Sequence, residues 1–268
     1  MDDFLLKVNI LGNVFYVLIF IFGLCIGSFL NSWIWRTYAN MRILAKNRSI
    51  CPSCGHQLYW YENIPLFSWI FLRCHCSQCH RAISWQYPLV EFFTGAFLVF
   101  VFYKNIHATV FNPWQLFRDC LFLVWLIIIF VYDFRYQIIL TGVIWVASVV
   151  GFGINVALLD MNPSSLILGM IIASGFFYLQ YFVSKGRWIG GGDVRMGVMI
   201  GAWLGWQSAI LALFFAYVLG AVVAIFLLLR KKANGETAVP FGTFLAMGTF
   251  FSLYYGPAVI NWYVGLLK

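Results

Sequence analysis

The chain has 268 residues, of which 63% are hydrophobic, 20% aromatic and only 10% charged, and its formal net charge is +8. Soluble domains carry about 25% charged residues, so this composition excludes a soluble enzyme and implies a polytopic membrane protein. The basic residues cluster in short stretches between apolar runs, so the charge reads as membrane orientation and not as a nucleic-acid footprint.

Eight runs can be drawn as spans, at roughly 9–33, 88–104, 115–133, 138–159, 164–183, 194–206, 208–229 and 241–264. The yardstick is the ~20 residues a helix needs to cross a bilayer. The sixth run is short and shares the hinge Gly201 to Gly205 with the seventh, which leaves seven spans open. The first begins Met1-Asp2-Asp3 and lacks a small-residue cleavage site, so it is not a secretory signal. With eight spans and an outside N-terminus, the inner loops hold Arg36, Arg42, Lys46, Arg48, Arg73, Arg81, Arg135, Lys185, Arg187, Arg195, Arg230, Lys231 and Lys232. The outer side keeps Lys7, Lys104, Arg118 and Lys268. This bias predicts that both termini lie outside. The expected fold is therefore all-α and polytopic, with about eight transmembrane helices. It divides into a first span (1–35), a cytoplasmic polar segment (36–87) and a transmembrane core (88–268).

The one long polar stretch, about Arg36 to Gln86, contains Cys51-Pro-Ser-Cys54 and Cys76-Ser-Gln-Cys79, two CxxC knuckles separated by 21 residues. Two such loops complete a closed tetrahedral Zn²⁺ site. A disulfide reading is disfavoured in a loop on the reducing side, and no βαβ pattern supports a thioredoxin-like motif. Only Cys76 gives the CxxC spacing, although Cys74 stands as a competing ligand. His56, His75 and His80 read as exposed loop residues, and Cys25 and Cys120 as small buried hydrophobes. Glu91, just inside the second span, reads either as a site carboxylate or as a helix-start residue favoured by the macrodipole.

Asp133 ends the third span and Asp193 follows Gly190-Gly191-Gly192 at the start of the sixth. A carboxylate at membrane depth costs several kcal/mol unless it is paired or wet. The charge bias puts both at the cytoplasmic boundary. Two carboxyls sharing one proton can hydrolyse a peptide bond, with one activating water and the other donating to the carbonyl oxygen. Such a dyad titrates as a unit, so neither residue is assigned as the base. The glycine run permits unusual torsions and close approach, and an unwound turn there would aim Asp193 at an extended backbone. A flexible loop explains the run equally well, and Asp133 alone reads as a boundary residue paired with Arg135. Asp119, beside Arg118, and Asp160, Glu62 and Glu236 need no special role.

In order along the chain stand Gly27-Ser-Phe-Leu-Asn31, Cys51-Pro-Ser-Cys54, Asn63-Ile-Pro-Leu-Phe-Ser68, Cys76-Ser-Gln-Cys79, Ile83-Ser-Trp-Gln-Tyr-Pro-Leu-Val-Glu91, Gly190-Gly-Gly-Asp-Val-Arg195 and Val239-Pro-Phe-Gly242. With these motifs the chain resembles the type IV prepilin peptidases, bifunctional leader peptidases and N-methyltransferases of type IV pilus, type II secretion and competence systems. The resemblance implies a GxGD-type aspartyl protease of the bacterial inner membrane, with Asp133 and Asp193 catalytic. Gly190, Gly191, Gly192 and Arg195 would position the substrate backbone. Its substrates would be prepilins or pseudopilins, cleaved after a glycine at the cytoplasmic face and then methylated from S-adenosylmethionine. It associates methylation with the segment Arg36–Glu91, where Glu91 is a candidate contributor.

Three positions depart from the family. Ile138-Ile-Leu-Thr141 lacks the usual proline and the acidic or amide residue after Asp133. Arg195 stands for a usual lysine, and Cys74 for a usual glycine. Three alternatives stay open: a peptidase without methyltransferase activity, an ion-coupled transporter using the paired aspartates, and a non-enzymatic assembly subunit. The zinc knuckles tell against the transporter, and the glycine-flanked Asp193 against the assembly subunit.

Overall fold

A computed structural model describes residues 2–41, 49–108, 110–230 and 240–266, with side chains omitted for residues 2–11 and 13. Arg42, Lys46, Arg48, Lys231, Lys232, Glu236, Val239 and Lys268 lie outside the described residues, as does the side chain of Lys7. The chain forms two compact units, Met1–Phe111 and Asn112–Lys268.

In lipid the backbone must satisfy its own polar groups, so apolar runs become helices. Six described helices are long and apolar enough to cross a membrane, and Thr141–Ala157 is a shorter apolar helix of 17 residues. This is a multi-pass membrane protein.

The first unit contains α1 (Asp2–Tyr38), a short 3₁₀ turn (Trp60–Asn63), α2 (Phe67–Phe71) and α3 (Gln86–Ile106). α1 and α3 pack through small residues. A Cβ on Gly23 would lie 2.6 Å from the Gly95 Cα, and one on Gly27 would lie 2.7 Å from the Glu91 Cα. The spacing Gly23-x-x-x-Gly27 thus brings two backbones into contact, which is how helices associate where lipid removes the hydrophobic drive. Asn31 Nδ2 adds a 3.0 Å bond to the Tyr87 carbonyl.

The second unit contains α4 (Pro113–Tyr136), α5 (Thr141–Ala157), α6 (Pro163–Ser184), α7 (Gly191–Leu229) and α8 (Phe241–Leu266). α4 and α6 start alike. Asn112 and Asn162 accept first-turn N–H groups, and each is followed by a proline whose missing N–H costs nothing there. α6 meets α7 where a Cβ on Gly201 would overlap Gly169 and Met170, and α7 meets α8 where one on Gly248 would lie 2.5 Å from the Ala212 carbonyl oxygen. Phe122 and Trp203 stack at 4.2 Å in the centre of the unit.

The sixth and seventh expected spans are the two halves of α7. Gly205 breaks that helix with φ 73° and ψ 175°, torsions open to glycine. The break falls within the hinge drawn from Gly201 to Gly205. Asn155 Nδ2 donates to the Ala202 and Trp203 carbonyls at 3.0 Å each, satisfying groups that an interrupted helix leaves without partners. Arg118 reaches Asn155 Oδ1 and forms a buried ion pair with Asp119, at 3.3 and 2.7 Å.

Candidate active site

Asp133 lies in the last turn of α4, where its own helix dipole disfavours negative charge. The carboxylate turns instead to the start of α8. Thr243 N donates to Asp133 Oδ2 at 2.9 Å, and the Gly242 N–H also bonds the carboxylate. These are first-turn donors with no partner inside α8, so a helix N-terminus holds Asp133. A Cβ on Gly242 would come 2.9 Å from Asp133 Oδ2, so only glycine allows this approach. Arg135 lies over the Tyr136 ring at 5.5 Å.

Asp193 sits in the first turn of α7, and its Oδ2 accepts from Gly190 N at 3.2 Å. The two aspartates are 4% and 6% exposed and near enough to interact electrostatically. Asp193 Oδ1 is buried and accepts no hydrogen bond from the described residues. Thus two carboxyls from helices 60 residues apart in sequence converge, each on an N-terminal helix turn, with one oxygen left for a proton or water.

The turn after Asp133 is built without proline. Gln137 takes the left-handed conformation (φ 54°) and its N–H returns to the Asp133 carbonyl at 2.8 Å, closing α4. Ile139 then wedges between two glycines. A Cβ on Gly192 would meet Ile139 Cβ at 2.8 Å, and one on Gly242 would meet Ile139 Cδ1 at 3.2 Å. This residue therefore spaces the starts of α7 and α8, where the two carboxylates are held.

The glycine run takes no left-handed torsion. Gly190 is extended (φ −78°, ψ 154°), helix begins at Gly191, and a Cβ on Gly191 would meet open space. The close approach falls on Gly192 alone. Arg195 Nη1 donates to Thr141 Oγ1 at 2.6 Å, tying the start of α7 to that of α5. In the sequence Gly242 stands out only within its motif, and Thr141 only as a departure from the family pattern. Pro240 just before an apolar run was the available sign of a helix start.

In the first unit, Cys51, Cys54, Cys76 and Cys79 bring their sulfurs within 4.8 Å of one another. Tetrahedral Zn–S bonds of about 2.3 Å set the sulfurs roughly 3.8 Å apart, so this donor set fits such an ion. The knuckles are near-copies. Cys51 N bonds the His56 carbonyl and Cys76 N the Arg81 carbonyl, while Gly55 and His80 hold the matching left-handed turns at φ 74° and 54°. Although the His56 N–H favours its thiolate, desolvation and the thiols of Cys51, Cys79 and Cys76 push Cys54 up to about 11. The Cys79 and Gln78 N–H groups hold Cys76 down to about 7. Thiolates crowded this way suppress one another unless a cation joins them.

Cys74 is not in the cluster. It has φ 64°, a torsion that favours the glycine usual at that position. Glu62, expected to need no explanation, is buried and braces the first knuckle through Tyr59 N at 2.7 Å and His56 Nε2 at 3.4 Å. Glu91 is also buried, and its Oε2 accepts from Leu66 N at 2.8 Å.

Residues 21–105 match the Bacterial Peptidase A24 N-terminal domain, and residues 120–225 match the Type IV leader peptidase family. Three similar proteins each carry the name Prepilin leader peptidase/N-methyltransferase. That of Stutzerimonas stutzeri is 30% identical over 91% of this chain and 92% of its own length. That of Legionella pneumophila is 31% identical over 81% of this chain and 76% of its own. That of Myxococcus xanthus is 35% identical over 84% of this chain, and the match spans 66% of its own length. No solved structure matches the chain significantly.

Proposed function

The chain belongs to the type IV leader peptidase family, an aspartic protease family, and from that premise we propose that it removes the leader of prepilin-like proteins and methylates the new N-terminus. The convergence of Asp133 and Asp193 on two helix N-termini is the observation that carries the reading. One carboxylate takes a proton from water as the oxygen attacks the scissile carbonyl, and the protonated partner donates to the carbonyl oxygen. Collapse of the resulting diol breaks the C–N bond, and the amine leaves with a proton from the dyad. Asp193 Oδ1, which accepts no hydrogen bond from the described residues, is the oxygen we assign to the shared proton or the water. Gly190 and Gly191 leave the start of α7 uncovered for an extended substrate, while Gly192 and Arg195 fix its position.

We assign Cys51, Cys54, Cys76 and Cys79 to a structural Zn²⁺ that orders residues 36–87, between a first span (1–35) and a protease core (88–268). When bound, S-adenosylmethionine supplies a methyl group to the lone pair of the new amine. Glu91 is our candidate for electrostatic support of that transfer. The charge bias supports a cytoplasmic zinc segment and dyad in the inner membrane. It keeps the substrate's basic leader inside while its apolar helix packs in lipid.

Purified protein in detergent, given a prepilin and labelled S-adenosylmethionine, should release the leader and transfer label to the mature chain. Failure to cleave sinks the peptidase assignment, and cleavage without label sinks the methyltransferase half alone.

A further inference from the structure

Phe67, Ile70 and Phe71 fall at positions i, i+3 and i+4 of α2, on one side of that helix, and are 56%, 61% and 80% exposed. The Phe67 and Phe71 rings stack at 6.5 Å. Trp60 and Trp85, which flank α2 in sequence, are exposed as well. What covers this face follows from its depth.

α3 has 21 residues, about 31 Å of helix, and the hydrocarbon layer it crosses is about 30 Å thick. Its first turn therefore stands at the edge of that layer, with no length to spare. Leu66, the residue that starts α2, donates its N–H to Glu91 Oε2 at 2.8 Å, and Glu91 lies about 7.5 Å along α3. Side chains on a helix lean toward its N-terminus, so the carboxylate reaches back toward the edge. α2 thus begins level with the first two turns of α3. Its middle is pinned at the cap of α3, where the Trp69 ring lies 4.2 Å from that of Trp85 and Trp69 Nε1 donates to the Ile83 carbonyl. α1 marks the same edge. Asn31 bonds the Tyr87 carbonyl, and Arg36 follows about 7.5 Å further out.

A helix at this depth meets lipid. Leu89, Phe92 and Phe93, on the neighbouring turns of α3, are exposed like the α2 face and lie in the same layer. Tryptophans gather at such boundaries. Charge agrees. Across residues 49–86 the one acidic side chain, Glu62, is buried, while Arg73, two residues past α2, and Arg81 are exposed. Basic residues at a leaflet surface attract anionic headgroups. A protein partner would not require the face to lie in this layer. We propose that α2 is an interfacial anchor, with Phe67, Ile70 and Phe71 among the acyl chains and Arg73 at anionic headgroups, and that it holds the four-cysteine segment against the bilayer.

Photolabelling tests the anchor, with the full chain in nanodiscs holding one chain each and a phospholipid carrying a diazirine near its glycerol. Adducts mapped by mass spectrometry should fall on the peptide holding Phe67–Phe71 and on that holding Leu89–Phe93, but not on the one holding the knuckle tip Ser77–Gln78. Ile70→Asp combined with Phe71→Asp should remove the α2 adducts, while the α3 adducts and the elution volume stay unchanged. The wild-type yield on α2 should fall at least about twofold from anionic to zwitterionic discs, and Arg73→Gln should remove that difference. Label on α3 without label on α2 would overturn the anchor and put water or a protein surface over that face. Equal α2 yields in the two kinds of disc would overturn the headgroup contact.

Discussion

At Gly192 and Gly242 the arrangement of the two carboxylates depends on a missing methyl group. A Cβ on Gly242 reaches Asp133 Oδ2 at 2.9 Å, and one on Gly192 reaches Ile139 Cβ at 2.8 Å. Gly242→Ala and Gly192→Ala should each lower the cleavage rate at least about tenfold, because displacements near 1 Å at reacting groups cost about two orders of magnitude. Substrate affinity measured with an uncleavable prepilin should change less than the rate. Cys74 makes the opposite case. It holds φ 64° outside the metal cluster, so Cys74→Gly should relieve about 1 kcal/mol of backbone strain. Slower zinc loss to a chelator would show it. The aspartates, the four clustered cysteines and the misfit of Cys74 were all readable as residue types at fixed spacings. Ile139 was not, because nothing in a lone isoleucine says which glycines will face it.

Among the elements, α7 shows where periodicity stops informing. Its glycine-rich hinge was visible, and the break falls at Gly205. What the pattern did not reveal is that Asn155, on another helix, donates to both freed carbonyls. Long-range polar pairing leaves no local trace. For the same reason Arg118 and Asp119 read as an unremarkable interfacial pair, although both are buried and Arg118 bonds Asn155. Asn155→Ala leaves two carbonyls without their donor and takes one acceptor from Arg118, which keeps Asp119, so it should cost about 2–4 kcal/mol. A lowered thermal midpoint with zinc still bound would place that loss in the second unit. An unchanged midpoint would mean the break is held by packing alone. The turn after Asp133 also lay beyond prediction, since Gln137 supplies a left-handed cap that a glutamine seldom adopts.

On the scale of the whole molecule, composition set the class and the order of motifs set the family, while geometry identified the groups holding each carboxylate. The metal segment is a separate claim from the protease core. Elemental analysis should find one zinc per chain, and Cys51→Ser with Cys76→Ser should abolish it. Zinc-free wild-type protein would end the four-cysteine assignment. The central claim is that Asp133 and Asp193 act as one unit, and the most direct measurement is prepilin cleavage by Asp133→Asn and Asp193→Asn in the purified, zinc-loaded protein. Each substitution keeps size and hydrogen bonding but removes the ionisable carboxyl, so each should lower the rate by about a thousandfold or more, and the double variant little further. Cleavage within tenfold of wild type by either single variant would contradict the dyad.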